Sequence, residues 1–264
     1  MSATLDSDWN PGAYDRFRGL RLRPAADLLA QVPDDLPPGA VVDLGCGSGA
    51  AGPLLRARFP DHPLLGIDMS PAMLARASET GCYHHLAEAD IATWRPDAPP
   101  ALIFSNAALH WLGDHATLMP HLAGLLAPGG VLAVQMPGNF LAPSHALLRA
   151  VAAQLFAGRF EAEPYVPPVS TARDYLALLA PLGQAEGWET EYVQRLAPLA
   201  DGAHPVRAFT ASTAMRPFLA ALSATEARAF TRAYEAGLDL AYPRAEDGAV
   251  LFPFRRVFFL LQIP

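Results

Sequence analysis

The sequence predicts an α/β fold, a doubly wound sheet with helical material inserted late in the chain. Three observations carry this prediction. Between Val41 and Met136, short apolar runs alternate with amphipathic segments, the rhythm of βαβ units. The first run leads into the glycine-rich turn Gly45-Cys46-Gly47-Ser48-Gly49. Beyond Met136 the rhythm fails and the segments become mostly helical. The 264 residues are 52% hydrophobic and 17% charged, which excludes wholesale disorder. A chain of this length buries roughly 70–75% of its unfolded surface without help from disulfides.

In order along the chain, Tyr14 to Val32 reads as two short helices interrupted at Pro24. Val41-Val42-Asp43-Leu44 is a first strand, followed by the glycines and a helix near Ala50 to Phe59. Leu64 to Asp68 is a second strand. Ser70 then serves as N-cap and Pro71 as first helical residue of a segment through Ala77. Tyr83 to Ala87, Ala101 to Ser105 and Val131 to Met136 are further strands, with a helix over Leu118 to Leu126. Later helices are expected over His145 to Phe156, Asp174 to Leu182, and most of Arg207 to Asp239, broken near Pro217 and capped again at Ser223. Glu189 to Leu196 and Val250 to Ile263 read as strands. The expected organisation is an N-terminal segment 1–39, a core 40–137, and a remainder 138–264 whose insertions, about 138–170 and 203–245, cover the site.

Nineteen basic residues face 26 acidic ones for a net charge of −7, and all nineteen are arginine. An acidic chain without a basic run is a poor partner for nucleic acid or a membrane surface. The missing lysine excludes Schiff-base chemistry, a pyridoxal-phosphate lysine and a Walker A loop. Cys46 and Cys82 form neither a disulfide framework nor a zinc spacing, so a reducing, cytoplasmic setting is expected. The N-terminus lacks the features of a signal peptide, and no apolar run reaches the roughly 20 residues of a membrane span. His84-His85 suggests a metal pair, but adjacent strand residues point to opposite faces and no further ligands stand at suitable spacing, so no metal is expected.

The glycine turn is the most informative stretch. Gly47-Ser48-Gly49-Ala50-Ala51-Gly52 also spells the G-x-G-x-x-G of dinucleotide binders, and Asp68 at the end of the next strand suits any ligand with ribose hydroxyls. Three features separate the readings. Asp43 precedes the glycines, where it would repel a pyrophosphate and welcome an ammonium group. Glu88-Ala89-Asp90-Ile91 puts an acceptor where an adenine amine could be read, and the fifth strand follows a Pro-Gly-Gly turn. In this combination Val41 to Met136 resembles the class I S-adenosylmethionine-dependent methyltransferases, with a nicotinamide enzyme as the minor alternative. The resemblance implies a Rossmann-like sheet of seven strands.

The match extends to one family. Ser7-Asp8-Trp9-Asn10-Pro11, Gly66 to Met73, Leu102 to Leu112, Gly130 to Pro137, Arg216-Pro217 and Phe252-Pro253 with Arg255 resemble the trans-aconitate 2-methyltransferases. By that resemblance Gly45 and Gly47 pass beneath the methionine part of S-adenosyl-L-methionine, with Asp43 near its ammonium and Arg23 on its carboxylate. Asp68 accepts from the ribose, Met69 packs on adenine, and Asp90 and Ile91 flank the adenine amine. Asn106 faces the methyl group, and Trp9 and Tyr14 close over the cofactor.

The implied substrate is a small tricarboxylate, and methylation of an already ionised carboxylate needs no general base. Arginine's planar fork suits the carboxylates that do not react. The candidates are His110, Trp111, Arg149, Tyr175, Arg216 and Arg255, with Arg173, Arg256 and His145 behind them; Trp111 is as readily a core residue, and Trp94 more readily so. Other readings are a same-fold enzyme acting on a malonyl thioester or a natural-product acid, one acting on carbon or a phenol with His110 as base, and a catalytically silent S-adenosylmethionine-binding module.

Overall fold

The computed structural model describes residues 18–160, 165–211 and 213–264. Helix α1 (Arg18–Leu29) precedes β1 (Val41–Leu44), α2 (Gly52–Arg58), β2 (Leu64–Asp68), α3 (Pro71–Ser78) and β3 (His85–Glu88). Then come β4 (Leu102–Asn106), a 3-10 turn (Leu109–Trp111), α4 (His115–Ala123), β5 (Val131–Pro137) and α5 (Pro143–Leu155). The chain continues through α6 (Ala172–Leu179), β6 (Gln184–Leu196), α7 (Pro205–Ala211), α8 (Arg216–Ala220), α9 (Ala224–Ala241) and β7 (Val250–Gln262).

The strands form one seven-stranded sheet in the order β3-β2-β1-β4-β5-β7-β6. Strands β1 to β5 pair in parallel, whereas β7 runs antiparallel to β5. The sequence of β1, β4 and β5 explains their central places. Each is a near-continuous apolar run, as strands buried on both faces require, whereas β3, at one edge, is partly polar and exposed at its ends. The strand order reverses between β1 and β4, opening a crevice at their carboxyl ends where doubly wound sheets take ligands.

Two compact units divide the chain. One contains 22–140, 166–192 and 253–264, and holds β1 to β5 with most of β6 and β7. One face of its sheet (Val42, Leu44, Ile103, Val134) packs against α4 and α6 through Met119, Leu122, Tyr175 and Leu179. The other face (Val41, Leu102, Phe104, Ala133, Phe258) packs against α1 and α2 through Ala25, Leu28 and Leu55. The other unit contains the stretches 141–160 and 193–252. There α9 starts at a reciprocal Ser223–Glu226 capping box, and the buried Tyr234 hydroxyl donates to the Ser144 carbonyl at 2.8 Å.

Three element expectations change. The break at Pro24 is absent from the described residues: α1 runs through it. An interior proline costs roughly 3 kcal/mol, and burial of Ala25, Leu28 and Leu29 outweighs it. Strand β3 begins at His85 because Tyr83 turns inward against the glycine loop. Strand β6 begins five residues earlier than its alternation suggested, since Gly187 lies close to the Ala172 backbone and leaves no side chain there to read.

Candidate active site

The glycine turn leaves β1 with Gly45 at φ +78° and Gly47 at φ +55°, left-handed conformations that disfavour side chains. The Gly45 and Cys46 amides both donate to the Ile67 carbonyl, at 2.8 and 3.0 Å, tying the turn to the end of β2. The two glycines differ in what surrounds them. A Cβ on Gly45 would lie 2.2 Å from the Ala108 Cβ, whereas one on Gly47 would meet nothing within 4 Å. Gly45 is therefore required for internal packing, and Gly47 borders open space suited to a ligand. Gly45→Ala is expected to destabilise the fold by about 2–4 kcal/mol, from strain plus overpacking. Gly47→Ala is expected to cost about 1–2 kcal/mol, from strain alone, yet to weaken cofactor binding at least as much. Thermal melts paired with calorimetric titration of S-adenosylhomocysteine separate the two.

Asp68 holds the loop in shape. Its Oδ2 accepts from the Gly47 amide and its Oδ1 from the Ser70 amide, both at 2.9 Å. The adjoining Met69 is 70% exposed. Asp90 is exposed and accepts from the Ala92 amide at 2.9 Å, and Ile91 approaches Gly45. Asp43 lies beneath the loop, 2% exposed, accepting from the Tyr83 hydroxyl at 2.6 Å. Burial pushes its carboxyl up to about 7; the Tyr83 hydrogen bond opposes that shift and the Asp68 charge adds to it. Tyr83 was not foreseen as a site-forming residue. Its ring packs against Gly49, Gly52 and Gly66, so those glycines were its only signal.

At the end of β4, the buried Asn106 Oδ1 has no hydrogen-bond partner among the described residues. The next residue, Ala107, is a non-glycine at φ +54°, and its amide donates to the Gln135 carbonyl at 2.9 Å. Strain of this kind collects at functional turns. Gln135 itself is 1% exposed, and neither polar atom of its side chain has a partner among the described residues. Leaving a buried donor or acceptor unpaired costs about 1–3 kcal/mol. A single polar side chain in the run Val131 to Met136 was the available signal for it.

His110 follows on the 3-10 turn, its ring 4.7 Å from Trp111 and 6.4 Å from Phe140. Burial, with smaller contributions from the Arg256 and His115 charges, pushes it down to about 3. The ring is therefore neutral, and its Nδ1 has no partner among the described residues. Trp111 is 67% exposed, and Trp94 is a core residue.

The remaining candidates separate by environment. Tyr175, expected at the substrate, is instead packed in the core at 2% exposure and stacked on Phe259. Its hydroxyl bonds the His115 ring at 2.5 Å and accepts from the Ser170 amide, leaving it committed to the fold. Arg255 is spoken for as well: its guanidinium pairs with Glu189 at 3.3 Å and donates to the Gly138 carbonyl. Arg173 is exposed on α6. Arg23 is exposed, lies over the Tyr192 ring at 5.5 Å and stands 3.7 Å from Asp27. Arg149, His145 and Arg216 belong to the other unit, where Arg149 lies over the Tyr165 ring at 3.7 Å and Arg216 begins α8. Trp9 and Tyr14 lie outside the described residues. His84 accepts from the Leu64 amide at 2.8 Å, a structural use. A surface concavity of about 450 Å3 lined by Ala180 to Gln184 and Gln262 to Pro264 is at the opposite end of the sheet from the glycine loop, since Gln262 pairs with Val131 at the start of β5. It lacks charged side chains and has no bearing on this site.

A doubly wound sheet of this order, with a glycine turn after β1 and an acid closing β2, defines a methyltransferase of the Rossmann-like class. In agreement, a family described as a methyltransferase domain matches residues 14–180. Solved structures share the fold. One is Haemonchus contortus phosphoethanolamine N-methyltransferase 2 in complex with S-adenosyl-L-methionine (TM-score 0.57, 17% identity, covering 99% of this chain and 58% of that chain). Another is an S-adenosylmethionine-dependent methyltransferase from Thiobacillus denitrificans with S-adenosyl-L-homocysteine (TM-score 0.50, 20% identity, 91% of each chain). Closer in sequence is the trans-aconitate 2-methyltransferase of Methylobacterium radiotolerans, 47% identical over 97% of this chain and 98% of that protein. The enzyme of that name from Escherichia coli O139:H28 is 40% identical over the same shares. The chain belongs to the trans-aconitate 2-methyltransferase family.

Proposed function

We propose that this protein is an S-adenosyl-L-methionine-dependent carboxyl O-methyltransferase that forms a monomethyl ester of trans-aconitate. The observation that carries this reading is the single constellation at the carboxyl end of the sheet. It contains an open-sided Gly47, the loop-bound Asp68, the buried polar Asn106 and a neutral His110. The residues fit the cofactor. Gly45 and Gly47 would underlie its methionine part and Asp68 its ribose, with Met69, Asp90 and Ile91 about the adenine, Asp43 toward the ammonium and Arg23 toward the carboxylate. When bound, the cofactor supplies a methyl group activated on a sulfonium.

The chain's own residues then have three tasks: to orient the acceptor oxygen near Asn106, to neutralise the other carboxylates, and to exclude water. Alignment alone contributes several kcal/mol to such a displacement. No residue need remove a proton, because carboxylic acids of pKa about 4 are ionised at neutral pH. Here the structure weighs against the carbon or phenol acceptor. His110, the base that reading requires, is held neutral with a value near 3 and makes a poor proton acceptor. As a neutral donor or acceptor beside Trp111 it suits recognition of the acid. Among the described residues no helix is long and apolar enough to cross a membrane. With two free cysteines and a net charge of −7, the reading is of a cytoplasmic enzyme on a small acid, without nucleic acid or membrane partners.

The test offers purified protein labelled S-adenosylmethionine together with trans-aconitate, cis-aconitate and malonyl thioesters. Base-labile label on trans-aconitate is the expected result; robust label only on another acceptor, or none at all, refutes the reading. With trans-aconitate, kcat should be flat from pH 6 to 9, showing no inflection near 6.5 from a histidine base.

A further inference from the structure

Strand β5 is apolar on both faces apart from Gln135, and the fold gives this side chain no partner among the described residues. Its neighbours share its chemistry. In the parallel pairing with β4 its register partner is Asn106, whose Oδ1 is also buried and without a partner. Paired residues in register project to the same face of a sheet, so the two amides stand side by side at the carboxyl end, where Asn106 is proposed to face the methyl group. On the antiparallel side Gln135 pairs with Phe258, and two residues back along β7 on that face stands Arg256, only 7% exposed. Its charge is within electrostatic reach of His110 and Tyr192. The Arg256 guanidinium lies over the Phe254 ring at 4.4 Å, and Trp188 stacks on Phe258 at 5.1 Å and 7°, so aromatic rings border this face. Of the acids on this face, Asp27 accepts from the Tyr192 hydroxyl at 2.7 Å and lies 3.7 Å from Arg23, which balances its charge, and Asp43, in register with Phe104, accepts from the Tyr83 hydroxyl at 2.6 Å. Arg255, one residue before Arg256, points to the opposite face and is engaged by Glu189.

We propose that Gln135 and Arg256 form a carboxylate subsite on the β5–β7 face, which holds one non-reacting carboxylate of the substrate while another is presented beside Asn106. This deepens the function proposed above and rests on it. A carboxylate offers only acceptors, and here it meets the two N–H donors of an amide and the fork of a guanidinium. The apolar surroundings strengthen both interactions. The unpaired amide is thus explained as a group kept for a ligand at some expense of stability, as functional sites commonly are.

Mesaconate, itaconate and glutaconate each lack a different one of the three carboxyl groups of trans-aconitate. The experiment measures KM for all four acids, the Kd of S-adenosylhomocysteine and the melting temperature, for wild type, Gln135→Leu and Gln135→Met. In both variants KM for trans-aconitate should rise about tenfold or more. The acid lacking the held carboxylate should show no change, the cofactor Kd should be unmoved, and the melting temperature should be equal or higher. The proposal is overturned if KM for trans-aconitate stays within about twofold, if all four acids shift equally, or if the cofactor Kd weakens in parallel. Should wild type fail to methylate trans-aconitate, the functional reading falls, and titration of the acid into the protein–S-adenosylhomocysteine complex decides the subsite. Binding lost on Gln135→Leu supports it, and absence of binding to wild type overturns it.

Discussion

Asp68→Ala is expected to weaken S-adenosylhomocysteine binding about 100-fold, with a clear fall in melting temperature. Both carboxylate oxygens accept backbone amides, from Gly47 and from Ser70, so this side chain shapes the loop in addition to its proposed place at the ribose. Hydrogen bonds to a charged group contribute about 1.5–3 kcal/mol each, and two lost at the ribose amount to two or more decades in Kd. Asp68→Asn sharpens the test. The amide replaces one acceptor by a donor and sets it against a loop amide that also donates, so the loop is disturbed with hardly any change in size. Calorimetric titration of both variants is the check. If either binds within a few-fold of wild type, Asp68 serves the loop alone.

The second large effect concerns Asp43. Its carboxyl is pushed up to about 7, mainly by burial. Below about pH 4 it is protonated in folded and unfolded chains alike, and folding loses nothing. Between about 4 and 7 the folded protein retains a proton that the unfolded chain has released, so stability falls as pH rises. Above about 7 the loss is complete, on the order of 4 kcal/mol by linkage. Asp43→Asn should remove this slope, leaving the variant more stable than wild type at pH 8. An ammonium beside Asp43 favours the ionised carboxylate, so cofactor binding should release a proton and tighten as pH rises from 5 to 7. Melting curves across pH, with and without S-adenosylhomocysteine, test both halves. Identical pH profiles for wild type and Asp43→Asn would refute the account, because Asp43 would then already be ionised in the folded protein.

Much of the cofactor side was legible in the chain. The glycine turn, the acids at Asp43 and Asp68 and the strand-ending Asn106 are local signals. Each sits at the carboxyl end of an apolar run, and parallel pairing gathers such ends at one edge of a sheet. The substrate side was less legible, since its residues come from distant parts of the chain. Tyr175 carries a donor that suits a substrate, but α6 directs it into the core, where His115 uses its hydroxyl. Arg255 stands in the family-like segment, yet Glu189 and Gly138 engage it. Gln135 drew no attention because an amide in a strand reads as an exception to an apolar pattern until its partners are counted.

The sequence alone determined the order of elements, the class of sheet and the glycine loop after β1, because periodicity, capping and glycine conformation act over a few residues. Only the tertiary structure decided which side chains face one another. Arg255 and Arg256 are adjacent on a strand and project to opposite faces, and nothing local says which face is which. The antiparallel pairing of β7 with β5 settles it, setting Arg256 on the face of Gln135, diagonal to it across the strands, and leaving Arg255 to Glu189.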